Sequence, residues 1–209
     1  MPGRALVSAW MNEARNETAR VEAFSDGVFA VAITLLVLNL HVTAAPGQLA
    51  AALGREWPYY ATYVVSFLTI GIIWMNHHAQ FERIVRADRT LMVLNLLLLM
   101  FVTLIPFSTG LLAKYLDTAS DQQAAAATYA ASLLAMALSF FATYLWGTRA
   151  KLFSEQVLAR HARYLIARNS AGLAVYVLAI AMAFVNATVS LALCGLTAVF
   201  YLSPGRRLD

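Results

Sequence analysis

The sequence predicts an all-α, polytopic membrane protein with six transmembrane helices in one domain, residues 1–209. Hydrophobic residues make up 61% of the chain and charged residues only 12%, and the mean hydropathy is +0.66. Soluble domains average roughly 45–50% apolar and about 25% charged residues. Because so few charges cannot cover a water-exposed surface, most of the exterior is predicted to contact the lipid bilayer.

The first four helices are delimited by the length of their apolar runs and by proline. A helix needs about 20 apolar residues to cross a hydrocarbon core of about 30 Å. Pro46 marks the loop after the first helix, and Pro58 suits the first turn of the second. Pro106 lies inside the third helix and is expected to kink it. The predicted boundaries are about 24–40, 57–75, 91–113 and 124–146.

The last apolar stretch, residues 170–202, is too long for a single crossing. Its 33 residues would extend about 50 Å at 1.5 Å per residue, which exceeds the bilayer even with strong tilt. Asn186, Ala187 and Thr188 interrupt the stretch. Two short helices, about 170–185 and 188–202, are therefore predicted, and they bring the total to six.

The basic residues predict the orientation. Thirteen of the fifteen Lys and Arg residues fall in the N-terminal segment, the 80–90 and 147–169 loops and the C-terminal segment. Only Arg55 and Lys114 fall on the other side. The positive-inside rule then places both termini in the cytoplasm of a multi-pass cell-membrane protein. Apolar residues within the 147–169 loop predict an amphipathic helix at the cytoplasmic interface. The bases form no patch, so no nucleic-acid partner is expected.

Asp26 lies just inside the first apolar run. An ionisable group costs about 2.5–3.5 kcal/mol at a bilayer centre and less near the interface, so a partner is expected. One interpretation is an acid that caps the start of the helix and complements its dipole. The other is a buried junction in which Asp26 and Ser25 form hydrogen bonds to another helix. Both interpretations fit the sequence.

Val31, Leu35 and Leu38 lie on one face of the first helix, with Thr34 beside them. A stripe of this kind is usually a packing face or a lipid face, and less often the lining of a pore. Thr34 does not decide the matter, because a buried Thr can bond to the carbonyl four residues back. Spacing alone therefore leaves all three roles open.

The second helix ends with the adjacent histidines His77 and His78. Histidines at a membrane boundary can bind a metal or relay protons. Neighbouring helical residues point about 100° apart, however, and no second cluster of His, Cys or Asp stands at a supporting spacing. A structural polar contact with Asp26 or Asp88 is the favoured interpretation, and no metal site is predicted.

The chain carries no HExxH, GxSxG, Walker or Thr-Val-Gly-Tyr-Gly motif. We therefore expect no enzymatic activity and no cofactor. Two alternatives stay open, a proton-coupled small secondary transporter that uses Asp26 and a histidine, and a membrane enzyme with a histidine metal site. Transporters usually show internal repeats and broken helices, and no repeat is evident.

Two ordered blocks stand out in the first half of the chain. The first is Arg20-x-x-x-Phe24-Ser25-Asp26, which runs into Val28-Phe29-Ala30-Val31-Ala32-Ile33-Thr34-Leu35-Leu36. The second is Trp74-x-x-His77-His78-x-x-Phe81, followed by Asp88, Asn95 and Pro106-Phe107. Together they resemble the bacterial transmembrane protein 175 family of potassium-permeable channels, and the resemblance covers residues 20–113 of this chain. The last three helices agree with that family only in number and hydrophobicity.

The resemblance implies a homotetramer in which the first helix of each chain lines a central pore for potassium ions, with modest selectivity over sodium. Family pore positions carry over onto Val31, Leu35 and Leu38 as the constriction and onto Thr34 as the selectivity residue. Val31 stands where relatives usually have Ile or Leu, so its side chain is slightly narrower. The implied polar network behind the pore helix comprises Arg20, Phe24, Ser25, Asp26, Trp74, His77 and His78.

Overall fold

The computed structural model describes the backbone of residues 2–202 and their side chains, apart from those of residues 2–15, 155–163 and 165. This part of the chain is helical throughout its length, with short connections. The helices are α1 (Pro2–Leu35), α2 (Leu49–Arg55), α3 (Trp57–Phe81), α4 (Arg89–Tyr115), α5 (Gln122–Arg149), α6 (Glu155–Ala183) and α7 (Ala187–Leu202). A 3-10 turn, Leu36–Asn39, follows α1 directly.

The predicted all-α membrane fold is confirmed. Five stretches within these helices are long and apolar enough to cross a membrane, namely Asn16–Asn39, Trp57–Phe81, Arg89–Tyr115, Gln122–Arg149 and Ile166–Ala183. The sixth, α7, is apolar but has only 16 residues. Residues 170–202 belong to two helices, as their length predicts. Asn186 Oδ1 accepts a hydrogen bond from Val189 N at 3.1 Å and so caps the start of the second helix.

Three features differ from the sequence-based boundaries. α1 begins at Pro2 instead of near residue 24, because the preceding segment is rich in Ala, Arg and Glu, which are good helix formers. The loop after the first span contains α2, an unpredicted short helix. The 147–169 segment is a loop only at 150–154, and the rest of it belongs to α5 and α6. Leu152 and Phe153, which were expected on an amphipathic helix, lie in this loop and are buried. The other side chains expected on the apolar face of that helix lie largely outside the described residues.

Buried side chains from α1, α3, α4, α5, α6 and α7 form one apolar core along the bundle. In a membrane, close packing and interhelical hydrogen bonds hold helices together, since lipid is as apolar as the core. One such bond set joins three helices, where Ser66 Oγ lies 2.7 Å from Thr109 Oγ1 and 2.9 Å from Tyr129 Oη. The largest buried apolar members include Phe29, Leu36, Ile70, Leu98, Ile105, Leu112, Leu133 and Met136.

A second apolar cluster closes the end of the bundle at which α3 ends and α4 begins. It contains Phe81, Ile84, Leu91, Tyr144, Leu152 and Phe153. Val85 N donates to Leu152 O at 2.9 Å, which joins the α3–α4 turn to the α5–α6 turn. Asp88 caps α4 by accepting from Leu91 N at 2.7 Å, and it also accepts from Trp146 Nε1. The turn is therefore held so that the end of α3 faces the start of α4.

Candidate functional site

The spanning part of α1 has two distinct faces. Ser25, Phe29, Ala32 and Leu36 follow helical spacing and are buried against α3 and α4. On another face, Val31, Leu35 and Leu38 are 56%, 40% and 66% exposed. Exposure within one chain fits contact with lipid, with a neighbouring subunit or with a pore. The structure therefore shows which residues of α1 and the following turn are available for such a contact.

Thr34 lies on the exposed side of α1 between Val31 and Leu35. Its hydroxyl donates to Val31 O at 2.8 Å. A hydroxyl has one proton and two lone pairs, so this intrahelical bond uses the proton and leaves oxygen lone pairs available. Thr34 can therefore present an acceptor oxygen to a cation, in the midst of otherwise apolar side chains.

Behind the exposed face, a chain of buried hydrogen bonds joins α1, α3 and α4. His77 Nε2 lies 2.9 Å from Asn95 Oδ1, and Asn95 Nδ2 donates to Ser25 Oγ at 2.9 Å. Ser25 Oγ in turn donates to Val21 O at 2.8 Å. Because the oxygen of Asn95 can only accept, Nε2 of His77 carries the proton. The chain has one direction, from the imidazole through the amide and the hydroxyl to the backbone of α1.

Aromatic rings enclose His77. Its ring stacks on Phe81 with centroids 4.3 Å apart and meets Phe29 at 5.3 Å. The side chain is almost fully buried, and its Nδ1 has no hydrogen-bond partner within the described part of the chain. This surrounding suits a neutral imidazole that orients Asn95, because a charge placed there would lack compensation.

A second set of contacts lies nearer the surface and joins α1 to α3. Trp74 Nε1 donates to Asp26 Oδ1 at 2.8 Å. One turn away, His78 Nδ1 lies 2.7 Å from Glu22 Oε1, and His78 Nε2 lies 3.5 Å from Glu82 Oε1. The rings of Trp74 and His78 are stacked at 6.1 Å. Two side chains of α1 at i and i+4 thus meet two side chains of α3 at the same spacing.

Glu22, Asp26 and His78 place possible metal-ligand atoms within 4.8 Å of one another. A histidine and two carboxylates could bind a divalent cation. Each of the three already has a protein partner, however, since Trp74 bonds to Asp26 and the imidazole of His78 pairs with Glu22. Internal hydrogen bonding therefore accounts for the group without an ion.

The structure brings together most of the residues of the implied network. Ser25, Asp26, Trp74, His77 and His78 all contact a neighbouring helix through side-chain bonds. Arg20 and Phe24 do not join them. Phe24 is 57% exposed, and Arg20 is exposed and has no hydrogen bond or ion pair with any described residue. Both lie on surfaces that α3 and α4 leave free.

Two interpretations from the sequence need correction. Asp26 does not cap a helix, because α1 begins at Pro2 and Asp26 lies in its interior; the junction with another helix is what the structure contains. Neither His77 nor His78 forms a hydrogen bond or ion pair with Asp26 or Asp88, although His78 lies close to Asp26. His77 bonds to Asn95 and His78 to Glu22. Asp26 accepts a hydrogen bond from Trp74, and Asp88 accepts one from Trp146.

Sequence reasoning also missed one partner and undervalued another. Glu22 lies four residues before Asp26 and was not paired with any residue, although this spacing places both carboxylates on one face. Asn95 stood out in the sequence only as a member of the second motif block. Its central position depends on the crossing of α1, α3 and α4, which no local pattern reveals.

Comparison with known proteins places these features in a family. A model of the endosomal/lysosomal potassium channel TMEM175 matches residues 20–106. A potassium channel of Streptomyces collinus is 50% identical over 189 residues, which cover 89% of this chain and 92% of that protein. A potassium channel of Chamaesiphon minutus is 37% identical, covering 90% and 94%.

The fold comparison agrees. The crystal structure of a lysosomal potassium-selective channel TMEM175 homolog from Chamaesiphon minutus matches with a TM-score of 0.81 at 34% identity. The match covers 90% of this chain and 97% of that chain. Matches of this length and identity extend beyond the two motif blocks to the later helices. The chain therefore belongs to the TMEM175 family.

Proposed function

We propose that this protein is a potassium-permeable channel of the cell membrane, in which four copies assemble around a pore lined by α1. Family membership supports the class, since two relatives that span nine tenths of the chain are named potassium channels. The observation that carries the proposal is the division of α1 into two faces. The helix and the turn after it bury Phe29, Ala32 and Leu36 and leave a regular apolar stripe that no described residue of the same chain covers.

In a tetramer, Val31, Leu35 and Leu38 form three rings of four apolar side chains along the pore. Such rings offer no oxygen to replace the water around an ion, and a narrow apolar ring can close by dewetting. Potassium sheds water at a lower cost than sodium, so it passes more easily. The resulting preference for potassium is modest, because it arises from hydration and not from a rigid set of ligands.

Thr34 supplies the polar atoms next to this constriction. Its hydroxyl proton is engaged with Val31 O, so the lone pairs of the four hydroxyl oxygens in the ring are available to a partly dehydrated cation. This ring lowers the energy of an ion that has lost water between Val31 and Leu35. It therefore contributes to ion preference more than to pore width.

The polar network keeps the stripe facing the pore. Ser25 and Asp26 lie one to two turns before Val31, and they are held by Asn95 of α4 and Trp74 of α3. Both bonds resist rotation of α1 about its axis. A turn of about 100° moves each residue to its neighbour's position, so even a partial rotation would exchange apolar rings for other side chains.

The assembly is oriented with both termini in the cytoplasm. Thirteen of its fifteen basic residues then lie on the cytoplasmic side, as the positive-inside rule requires. The exposed Arg20 and Phe24 of each chain lie at this side of α1, where neighbouring subunits approach one another. They complete the network between subunits, which explains why they have no role within one chain.

The proposal is tested by replacing one residue on each face of α1 and recording from the purified protein in planar bilayers. Leu35→Ser should wet the constriction, raise unitary conductance and reduce the potassium-to-sodium permeability ratio. Leu36→Ala and Ile33→Ala alter packed residues and should reduce stability while leaving that ratio near wild type.

Three outcomes contradict the proposal. If Leu36→Ala shifts the ratio and Leu35→Ser does not, α1 is rotated relative to this assignment. If neither face matters, α1 does not line the pore. If the wild-type protein carries ion flux without stepwise unitary currents, the protein is a carrier such as a proton-coupled transporter.

A further inference from the structure

The chain changes its winding at the end of α1, within the proposed pore. α1 ends at Leu35, and Leu36–Asn39 continue as a 3-10 turn. Leu40 N donates to Val37 O at 3.0 Å, which is the three-residue hydrogen bond of that winding. Turns of this kind are frequent at the ends of α-helices, and their hydrogen bonds are poorer than those of an α-helix.

The winding determines where Leu38 lies relative to Leu35. An α-helix turns about 100° per residue and a 3-10 helix about 120°. Over three residues, α winding would place Leu38 about 60° away from Leu35 around the axis. With 3-10 winding, residues at i and i+3 eclipse each other. Leu38 therefore lies in line with Leu35, and the stripe continues as two stacked rings.

One side chain fastens this turn to α4. Asn39 Nδ2 donates to Pro106 O at 2.8 Å. Leu36, at the other end of the turn, is fully buried in the core. The turn is thus held at its first and last residues by contacts with the bundle, while Leu38 between them is 66% exposed.

Gly110 provides the space for this contact. A Cβ atom added at Gly110 would lie 2.5 Å from Asn39 Oδ1 and 3.0 Å from Asn39 Cγ. Any larger residue would displace the amide. Gly71 on α3 is also a helical glycine within a span, but a Cβ there would meet nothing within 4 Å. The close approach to Asn39 therefore distinguishes Gly110 from Gly71.

We propose that Asn39 and Gly110 are positioning residues for the Leu38 ring, because their contact holds the 3-10 winding that aligns Leu38 with Leu35. The inference rests on the proposed function, in that α1 must line the pore. Asn39 itself faces α4 and acts only through Leu38. When the contact is lost, the turn relaxes toward α winding, Leu38 turns about 60° away from Leu35 and the two rings no longer stack.

Cysteine modification of the assembled channel tests the alignment. Leu35→Cys and Leu38→Cys are introduced separately into a Cys194→Ala background, and a cationic thiosulfonate reagent is applied while current is recorded. Block at both positions is expected. With Asn39→Ala added, the rate at position 38 relative to that at 35 should fall about three- to ten-fold, the population change expected when one ordinary hydrogen bond is lost. Asn39→Asp, which keeps the shape without the donor, should act similarly.

The possible results separate the inference from the function. If both cysteines are blocked and the modification rate at 38 relative to 35 is unchanged in both Asn39 variants, the inference is overturned and the pore assignment is supported. Absence of reaction at both positions overturns the pore assignment, and the inference with it. The potassium-to-sodium ratio gives a second readout, since Asn39→Ala should lower it without replacing any pore-facing side chain.

A double-mutant cycle tests the role of Gly110. Gly110→Ala alone should reproduce the effect of Asn39→Ala, because the added methyl group displaces the amide. Combining both substitutions should change the 38-to-35 modification-rate ratio no further than Asn39→Ala alone, since the methyl group then meets no amide. Gly71→Ala is the matched control and should leave this rate ratio unchanged. If Gly110→Ala has no effect, or if the two effects add, the close contact does not hold the turn.

Discussion

The indole Nε1 of Trp74 donates a 2.8 Å hydrogen bond to the carboxylate of Asp26, and this bond joins α3 to α1 where the apolar run of α1 begins. The bond does not stand alone, because the Trp74 ring stacks on His78, which pairs with Glu22 one turn before Asp26. Several partners thus share the task of holding α1. Removing one of them should loosen the assembly before it alters the ion path.

Asp26→Ala should damage assembly more than ion selectivity. It leaves the indole N–H of Trp74, which is 39% exposed, without its acceptor and removes one of the bonds that join α1 to α3. The expected result is a loss of tetramer on size-exclusion chromatography after mild heating. Glu17→Ala, which removes an exposed acid of α1, is the control and should elute like wild type. A stable Asp26→Ala tetramer with altered ion ratios would instead place Asp26 on the ion path.

Asn95→Leu should lower the thermal stability of the protein. Asn95 is 1% exposed and is the only described side chain bonded to both His77 and Ser25. The leucine leaves the imidazole N–H without an acceptor, which costs about 1–3 kcal/mol. Asn76→Leu is the comparison, because the amide of Asn76 bonds only to Ile72 O of its own helix. Equal midpoints in a fluorescence melting assay would show that the buried chain contributes little.

Thr34→Ala should reduce the potassium-to-sodium permeability ratio while total current changes little. The substitution removes a ring of oxygens and leaves the neighbouring apolar rings in place. Thr103→Ala is the matched control, because Thr103 is also exposed and makes the same type of intrahelical bond, to Met100 O at 2.8 Å. Reversal potentials under bi-ionic conditions measure the ratio. An unchanged ratio in Thr34→Ala would remove Thr34 from the selectivity mechanism.

Chelation of divalent metal should leave the currents unchanged. Glu22, Asp26 and His78 lie close enough to bind an ion, yet protein partners already satisfy them. Elemental analysis of the purified protein and recordings before and after treatment with EDTA test this expectation. Stoichiometric zinc that is lost in a His78→Ala variant, together with current lost on chelation, would show that the group is a metal centre.

Labelling from outside the cell should reach cysteines introduced in the 42–56 and 114–123 loops. It should not reach the 80–90 or 147–169 segments, which carry most of the basic residues between the spans. A membrane-impermeant maleimide applied to intact cells makes the measurement, and lysed cells are the control for reactivity. External labelling of the 147–169 segment would reverse the orientation.

Much of α1 was predictable because its two faces follow from local periodicity. The residues that proved buried, Phe29, Ala32 and Leu36, and the exposed stripe of Val31, Leu35 and Leu38 repeat at helical spacing. Periodicity assigns residues to faces, however, and does not state what covers a face. It also could not show the change of winding after Leu35, because that turn is held by Asn39 through a residue 67 positions later.

The sequence by itself determined that the chain is an all-α membrane protein and where its apolar spans lie, because hydropathy and span length are properties of contiguous residues. It did not predict α2 or the early starts of α1 and α6. Only the tertiary structure decided which polar side chains meet. Trp74 bonds to Asp26 across 48 residues and Asn95 to Ser25 across 70. Such pairs depend on how each helix is rotated and where it crosses its neighbours, and these quantities are set by packing of the whole bundle.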